Sequence, residues 1–475
     1  MSADIATRPS MLRLVRTLAP GPSPHGAGSV YPTVLRVPVS DYGEFRARVV
    51  SRYEDTLKTF WPRAMLVAAR SPHPRPISDA RLAANFFHSV YATFLTRTLD
   101  AEAAQRFAPI LDADPGARWL MADLTAMRAL AGETLPGLYA APSRTLLEAR
   151  DDGDPIVRAI DLDGALLRPG DGPAWELAKL FVAQGCAHAS IMAQHPRNHF
   201  PYDTVNGVTR GTLPVDHVLR RLLEPHFYVH LALNFGVLYS NRSVARNDQA
   251  NIYCPFPATE KGQFKLVRVG WRGVADSDVW RPFRFPLGLR TTLGPYGDFG
   301  RHYQAVIDRH AARVLADVDP TDPRILQWAN GIALHIPGFP DALRIVEPGV
   351  LAQTAASIIA AVSLYHAIEH YTYSMIPLVE APLRLRLAPP RSAAQPAFRY
   401  EDLSTRRDAF RQLLAHEMFF KVYPLKLLKD TEYLFDSPAL RSHAATFRQE
   451  LVDASRSLPG REYVPLTMIS ASLQY

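Results

Sequence analysis

The chain is expected to fold as a mainly α protein, a single large helical domain carrying a few short β-strands. Long apolar-periodic stretches at residues 41 to 60, 78 to 107, 173 to 195, 214 to 240, 299 to 317 and 349 to 374 alternate with proline-rich connections, the pattern of buried helices joined by turns. Two shorter runs have β character and turn chemistry, TLLEARDDGDPIVRAIDL from Thr145 and FKLVRVGW from Phe264, and imply a small sheet or hairpins on the helical body. No fixed-period repeat is visible.

At roughly 150 residues per domain, 475 residues correspond to about three domains or one large core. Apolar residues at 47% and charged residues at 21% match globular chains and exclude disorder over most of the length. Residues 1 to 40 are rich in Pro, Gly and Ser without sustained periodicity, and are expected to form a flexible arm before a domain spanning 41 to 475. The forty prolines are spread along the chain, as connections between helices would place them. Toward the end, residues 401 to 430 read as an amphipathic helix, and Ser437 followed by Pro438 as the start of another that runs to about Arg456. The last stretch, YVPLTMISASLQY, is apolar where chain ends are usually polar, so it is expected to thread inward.

With only Cys186 and Cys254, a disulfide scaffold and a cysteine-rich zinc module are excluded, and any metal must rely on histidine and carboxylate. The net charge of +7 is thinly spread, without a basic run or a nucleic-acid-binding signature, so no nucleic-acid partner is expected and the excess reads as solubility. The longest apolar stretch, around Ala355 to Ile368, is shorter than the roughly 20 residues of a membrane span and reads as a buried helix. Peripheral membrane contact is the most that is expected. The scattered apolar residues around Arg8, Arg13 and Arg16 do not form a secretory core, which points to a cytoplasmic protein, expected to be a monomer.

Histidine placement carries the chemical signal. His188, His195 and His199 lie at offsets of 0, 7 and 11, along one side of a helix with 3.6 residues per turn, within an apolar stretch. His366 and His370, in HAIEH, close the most apolar helix, and an i, i+4 pair of imidazoles can share one ion. Neutral imidazole suits iron, zinc, copper or nickel. Burying two such clusters without a shared partner would leave several polar rings unsatisfied, which favours a metal over ordinary core histidines. Pro196 and Pro201 disfavour regular α geometry around His195, so local distortion is expected there.

An ordered set of segments resembles the lipoxygenase family. Trp175, Ala178, Lys179 and Val182 resemble the opening of that family's metal-binding helix, and HVLRRLLEPHF at 217 to 227, followed by Asn234, resembles its HPxxxLLxPHF segment. YAAP at 139 to 142, DPIVRAIDL from Asp154, DPRILQWA at 322 to 329 and IIAAVSLYHAIEHYTY follow the family's order over about residues 70 to 475. The resemblance implies a lipoxygenase-like helical domain of the bacterial type, without an amino-terminal β-barrel. It further implies a non-heme iron, with manganese as an alternative, held by histidines of two long helices and by the terminal carboxylate. The activity implied is hydrogen removal from a polyunsaturated fatty acid or similar lipid, followed by dioxygen insertion.

Carried over residue by residue, the resemblance implies metal ligands at His195, His366, His370 and Tyr475, while His199 matches a further histidine of the family that is usually not a ligand and is expected here to join the set. Ser190 occupies the place of the family's first histidine, and either His199 or His188 can replace it; His370 stands where the family has asparagine, and Tyr475 where it has isoleucine. Asp203 is expected to orient a histidine. Ala232, six residues after His226, falls at the substrate-pocket position associated with product stereochemistry, where alanine leans toward S. Arg220, Arg221 and Lys179 are candidate anchors for a substrate carboxylate, or else solvated charges. A lipoxygenase-like oxygenase for a different, biosynthetic substrate and a non-catalytic lipid-binding relative remain as alternatives.

Overall fold

The structure, a computed structural model, describes residues 37–70, 73–240, 242–247, 251–420 and 425–474. Two long helices organise it. The first runs from Pro173 to Thr212 and is interrupted by a π-turn at Ser190–Gln194; the second is Val350–Ser374, with a π-turn at Ala360–Tyr365. Both are buried nearly all round, and all but the polar second half of the first, Pro196–Thr212, is apolar on every face, as a helix is when other elements cover it. The second is 25 residues long, and by length and composition it is apolar enough to cross a membrane, contrary to the expectation from the Ala355 to Ile368 run alone; its most apolar window is 89% buried, so it is covered by protein.

Two apolar cores meet along these helices. One takes residues 174 to 193 of the first helix with the sheet and helix Glu260–Arg272; the other takes residues 202 to 213, most of the second helix, and helices Gly294–Val314 and Pro438–Arg456. Where the first helix passes from one core to the other lies the segment 195 to 199. Gly300 lets helix Gly294–Val314 approach closely, since a Cβ there would stand 2.6 Å from the Tyr365 ring.

The small sheet is antiparallel in the order β1 (Leu95–Thr96), β2 (Trp119–Asp123), β3 (Ser143–Glu148), β4 (Ile156–Leu162) and β5 (Ala165–Leu167). The run from Thr145 supplies the β3–β4 hairpin, with a register shift at Leu146/Leu147. FKLVRVGW is a helix and not a strand. Thr259 caps it by accepting the Gly262 N–H, Gly273 ends it at φ 75°, and Phe264, Leu266 and Val267 are buried, so capping and packing override the β propensity of its valines.

Three expected helices are shorter than their periodicity suggested. The 78 to 107 stretch breaks after Asp79–His88, because Ser89 is extended and leads through a 3-10 turn into β1. The 214 to 240 stretch breaks at Glu224–Phe227 and at Val229, whose φ of 50° is left-handed. Over 401 to 430 the main helix is Arg406–Phe419, opened by a capping box between Thr405 and Asp408. The helix beginning at Pro438 matches expectation, and the tail threads inward, with Leu473 and Gln474 fully buried. Most of the expected arm lies outside the described residues; helix Val39–Phe45 begins just inside its expected end.

Candidate metal centre

Helix geometry brings four histidines together. His195, His199, His366 and His370 each offer a ring nitrogen, and those nitrogens all lie within 4.8 Å of one another. Within each helix the pair is spaced i, i+4, so both rings project from one side one turn apart. A π-turn immediately precedes the first histidine of each pair. In the first helix the His195 N–H reaches back five residues to the Ser190 carbonyl at 2.7 Å, and Pro196 then sits at the first position of the resumed α-helix, where its missing N–H is tolerated. This is the form the expected distortion takes, and His195 itself stays in the α region.

Hydrogen bonds behind the rings set their tautomers. The His195 Nδ1–H donates to Glu369 Oε2 at 3.0 Å, and the His199 Nδ1–H donates to Asn234 Oδ1 at 2.8 Å. Asn234 is oriented in turn, its Nδ2 donating to Asp203 Oδ1 at 2.8 Å. With both Nδ1 atoms occupied as donors, the Nε2 lone pairs of His195 and His199 face each other at 2.7 Å, and Nε2 of His370 stands 3.0 Å from that of His195. Lone pairs aimed at one another repel unless something positive lies between them. Two nitrogens each about 2.1 Å from one ion, at right angles, would be about 3 Å apart, so the spacing fits a shared metal.

Electrostatics agree with that fit. Burial holds His195 at about 3 and His199, His366 and His370 well below the ordinary imidazole value, with neighbouring rings adding to the effect in the last three. Neutral rings are the ligand form. Burial raises the Glu369 carboxyl to about 7 against the pull of Arg290 and the Asn198 hydrogen bond. Asn198 Nδ2 donates to Glu369 Oε1 at 2.6 Å, and Arg290 donates to Asn198 Oδ1 at 2.7 Å.

Other expected residues fall elsewhere. His188 lies outside the cluster, bonded to Gln263 at 2.8 Å and stacked on Phe256. Ser190 contributes its backbone to the π-turn. Asp203 orients a histidine as expected, but through Asn234. Tyr475 lies outside the described residues. The three anchor candidates are committed to pairs: Lys179 to Asp79 and Glu176, Arg220 to Glu224 and two backbone carbonyls, and Arg221 to Asp436. Glu369, Asn198 and Arg290 went unread, although Glu369 stands inside HAIEH between the two histidines.

An apolar cavity of about 490 Å³ opens on one side of the cluster, with His195, His199 and His370 in its wall beside Ile191, Met192, Leu233 and Phe420. Ala232 is buried among Phe45, Val49, Val229 and Leu233, and the cavity wall on that side is formed by Leu233 and Gly236.

No family model matches the chain, and no curated protein sequence matches it. Solved structures do. A calcium-dependent 11R-lipoxygenase superposes with a TM-score of 0.66 at 16% identity, covering 84% of this chain and 66% of that one. A coral 8R-lipoxygenase gives 0.67 at 15% identity, over 94% of this chain and 76% of that one. An anaerobic structure of a LOX in complex with arachidonate gives 0.67 at 15%, over 92% and 74%. The chain thus spans just under two thirds of the first and about three quarters of the others. At such low identity the likeness is one of fold, which is lipoxygenase-like and mainly α.

Proposed function

We propose that this chain is a non-heme metal-dependent dioxygenase that removes hydrogen from, and inserts dioxygen into, the unsaturated chain of a polyunsaturated fatty acid or similar lipid. One juxtaposition carries the reading: four neutral imidazoles from two buried helices converge beside an apolar cavity, with His195, His199 and His370 in its wall. An iron ion, or manganese, held by His195, His199, His366 and His370 would supply one-electron acceptance from the substrate and open coordination for oxygen chemistry.

The residues of the chain do the rest. Ile191, Met192, Leu233 and Phe420 offer an acyl chain burial worth about 0.8 kcal/mol per methylene and exclude water from the reacting carbon. Among the described residues Arg242, exposed, is the one arginine or lysine in the cavity lining, so it takes the anchor role for a substrate carboxylate that the paired Lys179, Arg220 and Arg221 do not fill. Glu369 and Asn234 hold the rings of His195 and His199 with Nε2 facing the cluster.

An oxygenase acting on a different, biosynthetic substrate is the second reading. Serine at 190 and histidine at 370 favour it, because both change the donor set relative to the resemblance. Both readings are tested on full-length protein produced with iron or manganese. Stoichiometric metal together with conjugated-diene absorbance on mixing with linoleate supports the first; metal without diene supports the second. Protein that takes up neither metal would refute both and leave a lipid-binding relative.

A further inference from the structure

The other side of the first histidine helix bears an opposite kind of recess. Arg97, Arg197, Arg281, Arg284 and Arg290 line a groove of about 600 Å³, and among the described residues Asp278 is the single acidic side chain in its lining. These arginines come from three separate stretches of chain, after β1, on the first helix and along the irregular segment 278 to 293, so the fold gathers charge that looks dispersed in the sequence. Arg281 is paired with Asp278, and Arg290 leans on Asn198 and lies over the Tyr365 ring, 3.9 Å from Glu369. One further source of positive potential lies at the groove's edge: helix Gly294–Val314 starts without a side-chain cap, and Thr292 and Leu293 just before it line the recess.

Five guanidiniums against Asp278 in the groove lining and Glu369 behind Arg290 leave an excess of positive charge in a concave, partly apolar wall, which focuses a positive field into the recess; Arg197 also donates to the Arg281 carbonyl and lies over the Phe283 ring. Their planar forks match the paired oxygens of carboxylates and phosphates. We propose that this groove binds a small polyanion bearing clustered oxyanions, a phosphate ester or a polycarboxylate, at a site separate from the apolar cavity. The proposal does not depend on the oxygenase reading or on which metal the histidines hold.

The test is isothermal titration calorimetry of the full chain with inorganic pyrophosphate and, separately, with citrate, at about 50 mM salt to limit screening. Saturable one-to-one binding with a Kd below about 1 mM is expected, and the tighter of the two probes tells phosphate from carboxylate recognition. The double substitution R197Q/R284Q is expected to weaken binding at least about tenfold. R406Q/R407Q, which neutralises two exposed arginines outside the groove, is expected to leave it unchanged. R284Q alone alters an exposed side chain and keeps the test available should the double variant fold poorly; it is expected to weaken binding about threefold. Absence of saturable binding by either probe, or equal weakening by the groove and control substitutions, would overturn the proposal.

Discussion

The histidines at 195, 199, 366 and 370 and those at 188, 226 and 310 are buried, His195 less completely than the rest, and all are kept neutral by desolvation, yet they are used in opposite ways. In the second group the rings meet ordinary core partners, through hydrogen bonds at His226 and His188 and through stacking at His310. His226 donates from Nδ1 to the Ala471 carbonyl at 2.8 Å and accepts at Nε2 from the Tyr433 hydroxyl at 3.0 Å; His188 pairs with Gln263; His310 stacks on Phe447 with ring centroids 4.2 Å apart. In the first group the second-layer donors and acceptors turn two Nε2 atoms toward one another. Burial and neutrality therefore do not distinguish a ligand from a core histidine. Convergence of lone pairs does.

The largest expected contrast is in metal content. His366→Ala removes one of few buried ligands and is expected to reduce iron or manganese, measured by elemental analysis after expression in either metal, to less than about a tenth of the wild-type level. His226→Leu is expected to keep the wild-type metal content. Equal metal loss in the two variants would erase the distinction between the groups. Next in size, Glu369→Gln keeps a hydrogen-bond acceptor for His195 but removes its charge, and is expected to weaken metal affinity by about tenfold, read by competition with a chelator. An unchanged affinity would show that the carboxylate does not tune His195.

The sequence made the two helices legible because apolar period and paired imidazoles coincide in them, and it made the four histidines legible as a set through spacing and resemblance. It left His188 and His199 as rivals, and for a physical reason. Both lie on the same face by their offsets, and only the π-turn between His188 and His195, which adds a residue to one turn, rotates His188 off the face that His195 and His199 share by their i, i+4 spacing. Ring orientation was out of reach because it depends on partners distant along the chain: Glu369 is 174 residues from His195, and Arg290 is 92 from Asn198. The helix at Phe264 was misread for a related reason, since its valines favour a strand locally while its caps and its buried face decide otherwise.

The two groups should also differ in what a substitution costs the fold. His226→Leu leaves the Ala471 carbonyl and the Tyr433 hydroxyl without their partner, and is expected to cost about 1–3 kcal/mol of stability in chemical denaturation, with metal retained. A loss well below that range would mean the ring's hydrogen bonds are replaced easily. This contrasts with His310, whose two ring nitrogens have no hydrogen-bond partner among the described residues.

The smallest effect lies in the pH dependence of stability at His310. Burial, with His226, Arg313 and His443 nearby, depresses the His310 ring to about 3 in the folded protein, against about 6.5 in an unfolded chain. Between these values the unfolded chain binds a proton that the folded ring refuses. Stability is therefore fully present above about pH 6.5 and declines as pH falls toward 3, by at most about 1.4 kcal/mol per pH unit for this ring. His310→Phe preserves the stacking shape on Phe447 and removes both unpaired nitrogens, so it is expected to be near neutral at pH 7.5 and more stable than wild type at pH 5.5. The gap between the two proteins should open on acidification below about pH 6.5. Parallel denaturation midpoints for the two across that range would mean that the folded ring titrates like an exposed one, contrary to its burial.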